Sequence, residues 1–257
     1  MQLFCHGNRF IIRMKNKGGM TMSKKIIGSV MTGALVLSLI TPAVPAAPVD
    51  AAGKVTYKVK GTTLTISGKG EMPKSMVFGK KSKTKNIKKV VIKKGVTTIS
   101  KNAFKNCKKL KTVNIPNELQ YLGGGAFYNA KSIKRIILPD TLEYLGGESF
   151  YNASSLEEVR LSNNLKEIRG NSFQNCTSLK KIVIPDSVTR IGGHAFHNDT
   201  NLSEVVIEEN SNLKAIGSSA FRGCTKLLNI KVPYGISISE RAFKETNTII
   251  DYFDKNY

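Results

Sequence analysis

Seven phenylalanines recur along the chain at intervals of 23, 23, 23, 23, 25 and 22 residues. They are Phe104, Phe127, Phe150, Phe173, Phe196, Phe221 and Phe243. Each lies in the same frame of apolar positions, which is clearest in residues 179–201, LKKIVIPDSVTRIGGHAFHNDTN. A period of this length is typical of solenoids, in which each repeat is one coil that stacks on the next.

The repeat unit has the length and pattern of a leucine-rich repeat. Ile182 and Ile184 flank Val183 in the alternation of a strand with one buried face, and Pro185 ends that strand. Gly192-Gly193 then permits positive φ at a corner. Ordering one coil costs more free energy than its few apolar groups return, so the coils must stack.

The predicted fold is therefore a leucine-rich-repeat solenoid. We expect a right-handed coil of about seven repeats of 22–25 residues, with a parallel strand sheet on one face. We expect an N-terminal β-hairpin cap and a short C-terminal cap strand, because an open terminal coil would expose a strand edge. The expected boundaries are 53–86 for the N-terminal cap with a lysine-rich segment, 87–248 for the solenoid and 249–257 for the C-terminal cap.

Equivalent positions of stacked coils should form ladders along the axis. We expect a buried apolar ladder at Ile115, Leu138, Leu161, Ile184, Ile207 and Val232. A polar ladder, expected to bond buried backbone at the turn, comprises Asn106, Asn129, Asn152, Asn175 and Asn198. One further position holds Cys107, Cys176 and Cys224, and in the other coils Ala130, Ala153, Asp199 and Thr246. Coils about 4.8 Å apart place these cysteines beyond the roughly 7 Å reach of a disulfide, which predicts three unpaired, buried thiols.

The N-terminal region has the composition of a secretory signal. Lys24-Lys25, the apolar run 26–40 and the small residues 41–52 match its three parts, with cleavage expected after Ala46 or Ala51. The apolar run is short for a membrane span, so we expect no transmembrane segment once residues 22–52 are removed. We interpret residues 1–21 as a mis-assigned upstream start, because Lys17-Gly18-Gly19 can be encoded by a ribosome-binding sequence placed ahead of Met22.

The repeat frame, the Ala-Phe-x-Asn-Cys turn at Ala103–Cys107 and the segment LTISGKGEMP at 64–73 resemble the BspA-like leucine-rich-repeat proteins. The resemblance covers residues 54–257. It implies a secreted or cell-surface protein of a host-associated microbe. Some members of that family are adhesins that bind matrix or host proteins.

Positive charge is concentrated at one end of the predicted solenoid. Residues 54–111 hold 18 Lys or Arg and one acid, Glu71, whereas residues 112–257 hold 16 of each sign. The densest part, here called the lysine patch, comprises Lys80, Lys81, Lys83, Lys85, Lys88, Lys89, Lys93 and Lys94. It is either a solvated surface or a site for a polyanion such as teichoic acid, a sulfated glycan or extracellular DNA. Lysine suits diffuse attraction better than bidentate recognition, so we expect no sequence-specific nucleic-acid binding.

A second candidate surface is the exposed row of the strand sheet. This strand-face row comprises Val91, Asn114, Ile137, Arg160, Val183, Val206 and Lys231, flanked by Lys89, Thr112, Arg135, Glu158, Lys181, Glu204 and Asn229. Its apolar members are either good strand formers or the centre of a protein-binding patch. Tyr121 with Tyr144, and Tyr128 with Tyr151, repeat in adjacent coils. They either stack on a sugar or peptide or simply cover the coil edges.

Catalytic and metal-binding patterns are absent from the sequence. His194 and His197 have i, i+3 spacing, but they occupy variable frame positions, and we interpret them as surface residues. We predict no enzyme activity, no cofactor and no metal. The expected function is adhesion or protein recognition by a monomer that is secreted or held noncovalently at the cell surface, with an extracellular protein or glycan as partner. The alternative is an envelope-associated protein that binds a polyanion through the lysine patch.

Overall fold

The computed structural model describes residues 54–79 and 84–253, together with the backbone of three short strands within residues 2–22. These strands are β1 (Gln2–His6), β2 (Arg9–Lys15) and β3 (Thr21–Met22), which pair antiparallel in that order. They belong to a separate unit, residues 1–47. The predicted signal sequence after residue 22 lies outside the described residues, as do Lys80, Lys81 and Lys83 of the lysine patch.

The second unit, residues 48–257, is built from short strands. In chain order these are β4 (Thr56–Lys60), β5 (Thr63–Ser67), β6 (Gly70–Glu71), β7 (Lys89–Ile92), β8 (Val96–Ile99), β9 (Thr112–Asn114), β10 (Tyr121–Leu122), β11 (Arg135–Ile137), β12 (Tyr144–Leu145), β13 (Glu158–Arg160), β14 (Glu167–Ile168), β15 (Lys181–Ile184), β16 (Arg190–Ile191), β17 (Glu204–Ile207), β18 (Ala215–Ile216), β19 (Asn229–Pro233), β20 (Ser237–Ile238) and β21 (Ile249–Phe253). Within residues 54–79 and 84–253 no helix is long and apolar enough to cross a membrane.

The strands form a parallel β-solenoid of about eight turns, which confirms the predicted leucine-rich-repeat solenoid. The longer strand of each coil lies on one side, here called the strand face, in the groups β4-β5-β7-β9, β11-β13, β15-β17 and β19-β21. The two-to-four-residue strands form a second side, in the orders β6-β8-β10-β12 and β14-β16-β18-β20. Pairing advances by one repeat, as in Ile182 with Val205. The exception is the antiparallel hairpin of β4 and β5.

A continuous stack of phenylalanine rings runs through the core. The seven repeat phenylalanines and Phe78 form it, and successive ring centroids lie 5.1–5.5 Å apart. Phe78 is 1% exposed and stacks on Phe104. The stack therefore begins one coil earlier than the repeat frame indicates.

The paired glycines at the corners allow the backbones of neighbouring coils to approach closely. A positive φ at Gly192-Gly193 was predicted, but neither residue has one, and the left-handed residue at that corner is the next one, His194, with φ 58°. A Cβ added at Gly146 would lie 2.3 Å from the backbone nitrogen of Gly124. The prediction was therefore wrong about the reason for glycine, which is steric clearance between coils.

Left-handed backbone recurs at two positions in most coils, two residues before and two residues after the phenylalanine. The first set is Asn102, Gly125, Glu148, Asn171, His194 and Ser219, and the second is Asn106, Asn129, Asn152, Asn175, Asn198, Gly223 and Glu245. Asparagine tolerates this conformation better than most residues. The amide of Asn129 donates to Asn106 Oδ1 at 2.9 Å, and that of Asn152 donates to Asn129 Oδ1 at 2.5 Å. The prediction was that these side-chain amides bond buried backbone. The two side-chain hydrogen bonds seen instead join one asparagine to the next.

The prediction of three unpaired, buried thiols is confirmed for Cys107, Cys176 and Cys224. The Cys176 thiol donates to the Phe150 carbonyl at 3.2 Å. Burial raises the pKa of the Cys107 thiol to about 12 and raises the pKa of the other two as well. A thiol that stays protonated is a poor nucleophile, so these cysteines are packing groups.

The last strand, β21, pairs in parallel with β19 and ends the described solenoid. Ile250 and Phe253 pack partly against the core. Ile249 and Tyr252 of the same strand are largely exposed.

Candidate functional site

The strand face opens into a groove between β9 and β11. These two strands belong to successive coils but do not pair. The sheet ladder is also interrupted between β13 and β15 and between β17 and β19, yet those strands remain close together, whereas β9 and β11 have separated further. On the opposite side the pairing of β8, β10 and β12 continues without a break. The two coils are therefore separated on the strand face but remain paired on the opposite side.

The groove has a volume of about 1080 Å³ and an apolar floor. Val113 and Ile115 line it and are only half-buried, although they occupy inward-facing frame positions. The equivalent residues of the next coil, Ile136 and Leu138, are at most 1% exposed. The prediction of a buried ladder beginning at Ile115 was therefore wrong for that residue, because no strand of the next coil covers it.

Unpaired backbone groups form the two walls of the groove. In the parallel register of β7 with β9, Thr112 donates its N–H to Lys88 of the preceding coil. The alternate residues Val113 and Ile115 consequently direct their backbone groups towards β11. By the same alternation Ile137 of β11 directs its N–H and C=O towards β9, while the N–H of the following residue bonds β13. No backbone hydrogen bond joins β9 to β11 among the described residues.

The rim of the groove is rich in cations. Lys134 pairs with Glu157 at 3.0 Å, and Arg135 pairs with Glu158 at 3.0 Å. These pairs are exposed, so each is worth only about 0–1 kcal/mol and can be exchanged for another anion. Lys111, on the opposite wall, forms no ion pair with any residue that the structure describes.

One rim arginine is held in a fixed orientation by an acid of the loop after β11. Arg160 donates to Asp140 Oδ2 at 2.8 Å and to the Leu138 carbonyl at 3.3 Å. The backbone N–H of Asn163 also donates to Asp140, at 3.0 Å. The Asn163 N–H, followed by Arg160, holds the pKa of Asp140 below its ordinary value, so this carboxylate is ionised at neutral pH.

The strand-face row extends on both sides of the groove. Ile137 is 45% exposed and Val183 is 39% exposed, whereas Val91 and Val206 are half-buried. Val183 lies directly beside Val206 in the paired strands β15 and β17. Next to this pair, Lys181 and Glu204 form an ion pair at 2.5 Å. Exposed apolar groups are thus flanked by charges that neutralise each other.

The described members of the lysine patch lie at the start of the solenoid, on the coil that contains β7. Its described members, Lys85, Lys88, Lys89, Lys93 and Lys94, are all exposed. One of these lysines makes an ion pair, from Lys94 to Glu118 at 3.7 Å. The other four carry no ion pair to the described residues.

The tyrosine pairs stack on each other. Tyr121 and Tyr144 have ring centroids 4.4 Å apart, and Arg169 of the following coil lies over the Tyr144 ring at 4.5 Å. In the second pair the centroids of Tyr128 and Tyr151 lie 4.7 Å apart. Lys105 of the preceding coil lies over Tyr128 at 4.2 Å. The middle ring of each set, Tyr144 or Tyr128, is therefore contacted on both faces.

The histidine pair lies outside the groove. The rings of His194 and His197 are 5.3 Å apart, and partial burial, followed by the charges of His194 and Arg222, lowers the pKa of His197. No cluster of three or more His, Cys, Asp or Glu with metal-ligand geometry occurs in residues 54–79 and 84–253.

Comparison with known proteins gives the chain its family. The model of the BspA type leucine-rich repeat region matches residues 80–203 and 148–254, with 6 copies. Among solved structures, the leucine-rich repeat protein of T. pallidum has a TM-score of 0.54 at 23% identity, over 67% of this chain and 87% of that one. A leucine-rich cell surface protein of Faecalibacterium prausnitzii has a TM-score of 0.28 at 18% identity, over 82% and 96%. The pneumococcal vaccine antigen PcpA has a TM-score of 0.33 at 14% identity, over 77% and 97%.

The T. pallidum protein supports the leucine-rich-repeat fold, and the other two likenesses are too distant to support more. A search of curated proteins gives no significant match. The family model, in contrast, covers most of the chain, including every repeat phenylalanine. The chain therefore belongs to the BspA-type leucine-rich-repeat family.

Proposed function

We propose that this protein is a non-enzymatic interaction protein of the cell surface or the extracellular space, and that it recognises a partner protein through its strand face. The observation that carries the proposal is the array of exposed side chains on that face, where Ile137 and Val183 lie next to ion pairs. Patches with an apolar centre and a charged rim are typical of protein interfaces. The family and its fold are generally non-enzymatic, and the signal-like residues 22–52 agree with export.

The proposal predicts that charge placed on the strand face weakens partner binding. Changing both Val183 and Val206 to glutamate should reduce binding to a matrix protein by roughly tenfold or more, because two adjacent apolar contacts become desolvated carboxylates. Binding would be measured by surface plasmon resonance against an array of purified matrix proteins. A matched double variant, Thr200→Glu with Thr225→Glu, adds the same charge away from the strand sheet and should bind normally. Equal binding by both double variants would contradict the proposal.

A second candidate function is polyanion binding by the lysine patch. It is favoured by Lys85, Lys88, Lys89 and Lys93, which are exposed and have no acidic partner among the described residues. Attraction of this kind depends on counterion release, so it should decrease steeply as salt rises. Changing Lys85, Lys88, Lys89 and Lys93 to glutamine should abolish binding to teichoic acid or heparin in low salt. The wild-type protein in high salt provides the comparison. Binding that resists both high salt and the lysine changes would exclude this candidate.

A further inference from the structure

We propose that the groove between β9 and β11 binds an extended, acidic segment of a partner protein, which enters as an added β-strand. This inference rests on the proposed function, since it names where on the strand face the partner is held and by what chemistry. The groove differs from the rest of the face because it exposes backbone as well as side chains.

The backbone geometry favours a strand as the occupant. Val113 and Ile115 on one wall, and Ile137 on the other, direct N–H and C=O groups into the groove. Two facing edges of this kind form a site for an extended chain, whose own backbone groups alternate in direction and so can bond both walls. Helices satisfy their backbone groups internally and would leave both walls unpaired.

The floor of the groove selects for alternate apolar side chains. A strand added here directs every second side chain towards the coil interior, above Val113 and Ile115. These two residues are the inward-facing groups left half-buried by the separation of the coils. An inserted strand would therefore complete the apolar ladder that is interrupted at this coil, burying the floor at about 25 cal/mol per Å² of apolar surface.

The rim selects for acidic residues at the remaining positions. The groove is lined by Lys111, Lys134, Arg135 and Arg160, against the single acid Asp140. Lys111 has no acidic partner among the described residues, and Lys134 and Arg135 hold theirs only through exposed pairs. The described members of the lysine patch, on the neighbouring coil, extend the positive field beyond β9 and speed the approach of an anionic chain. A segment that alternates apolar with Asp or Glu residues fits both the floor and the rim.

The test is selection of short random linear peptides displayed on phage against the full chain. We expect enriched peptides to alternate apolar with acidic residues. A synthetic copy of an enriched peptide should protect the backbone amides of Val113, Ile115 and Ile137 from hydrogen exchange. Ile137→Pro should weaken its binding roughly tenfold, because the proline lacks the N–H that points into the groove while the pairing to β13 is kept. The matched variant Ile137→Thr retains that N–H and should bind more tightly than Ile137→Pro. Thermal melting would verify that both variants fold.

Several results would overturn the inference. The selection would overturn it by enriching no peptides, or by enriching basic or non-alternating ones. Equal binding of the peptide by the two Ile137 variants would also overturn it. So would slowed amide exchange in the groove that results only from self-association of the protein and not from the peptide. The proposed function is tested separately by the Val183 and Val206 variant. If that double variant loses the partner protein while Ile137→Pro retains it, the strand face is the binding surface and the groove is not. If neither variant weakens any protein ligand, both proposals are wrong.

Discussion

Replacing Phe150 with alanine should lower the free energy of unfolding by about 3–5 kcal/mol, the range for deleting a fully buried phenylalanine. The ring is fully buried and stacks on Phe127 at 5.4 Å and on Phe173 at 5.3 Å. Its removal leaves a cavity and also ends two aromatic contacts, each worth about 0.5–1.5 kcal/mol beyond the buried area. The loss occurs at the middle of the solenoid.

Because Phe150 lies at the middle of the solenoid, the variant should change the shape of the unfolding transition as well as the free energy of unfolding. Each coil contacts only its neighbours, so weakening one central interface can separate the unfolding of the two halves. Denaturant titration followed by tyrosine fluorescence should show a lower midpoint for Phe150→Ala and a broader transition. Phe243→Ala is the control, because that ring is partly buried and stacks on one neighbour, Phe221. A loss for Phe150→Ala no larger than that for Phe243→Ala would show that the stack does not carry the stability of the core.

Spacing alone places the repeat phenylalanines in register, because equivalent residues of stacked coils lie above one another. Phe78 was missed because it lies 26 residues before Phe104, in a lysine-rich segment without the repeat's apolar pattern. A stack of rings can begin outside the regular repeat, because the first ring needs only one neighbouring ring on which to pack. A phenylalanine about one period before the first repeat was the available signal.

The sequence shows which residue type recurs at a given position of the repeat, but the physical reason for that residue type was harder to predict. Glycine at the corner indicates either positive φ or close approach, and both explanations fit the sequence around Gly192 and Gly193. Only the neighbouring coil decides between them, because the clash that excludes a side chain involves its backbone. Asparagine presented the same ambiguity at Asn129, where the left-handed φ of 59° and a side-chain bond to Asn106 both favour it.

The groove could not be predicted from the sequence, since Val113 and Ile115 are ordinary members of the apolar frame. Their exposure results from the way two coils separate, and no residue type marks the point of separation. The sequence did predict the outward row of which Ile137 is part, because period-two alternation fixes which side chains face solvent. The lysines and arginines of the groove rim could also be identified from the sequence as charged surface residues. The sequence therefore predicted the chemistry of the surface but not its shape.

The internal repeat pattern did not reveal the role of Asp199. This residue occupies the frame position of the buried cysteines and is itself fully buried. Its Oδ1 accepts the backbone N–H of Cys176 at 2.7 Å, but Oδ2 has no hydrogen-bond partner in the described structure. Cys176 and Cys224, the titratable neighbours on either side, are themselves buried. An ionised carboxylate in this position is both desolvated and incompletely bonded.

Burial raises the pKa of the Asp199 carboxyl well above its ordinary value of 3.8. The folded state thus binds a proton that the unfolded chain releases above about pH 4. Stability from this group is fully present below that pH and decreases as pH rises towards the folded-state pKa. Asparagine has nearly the same shape, keeps an oxygen for the Cys176 N–H and cannot ionise. Asp199→Asn should therefore raise the free energy of unfolding at neutral pH, because the variant avoids the cost of ionising a buried carboxyl.

The pH dependence distinguishes this explanation from a general effect of repacking. Free energies of unfolding would be measured by denaturant titration at a series of pH values for the wild type and for Asp199→Asn. Their difference should be small near pH 4 and should grow as pH rises, whereas a repacking effect would be the same at every pH. Asp186→Asn is the matched control, because that carboxylate is exposed and the same charge is removed. A constant difference, or an equal gain from Asp186→Asn, would mean that Asp199 is not the buried acid that limits stability at neutral pH.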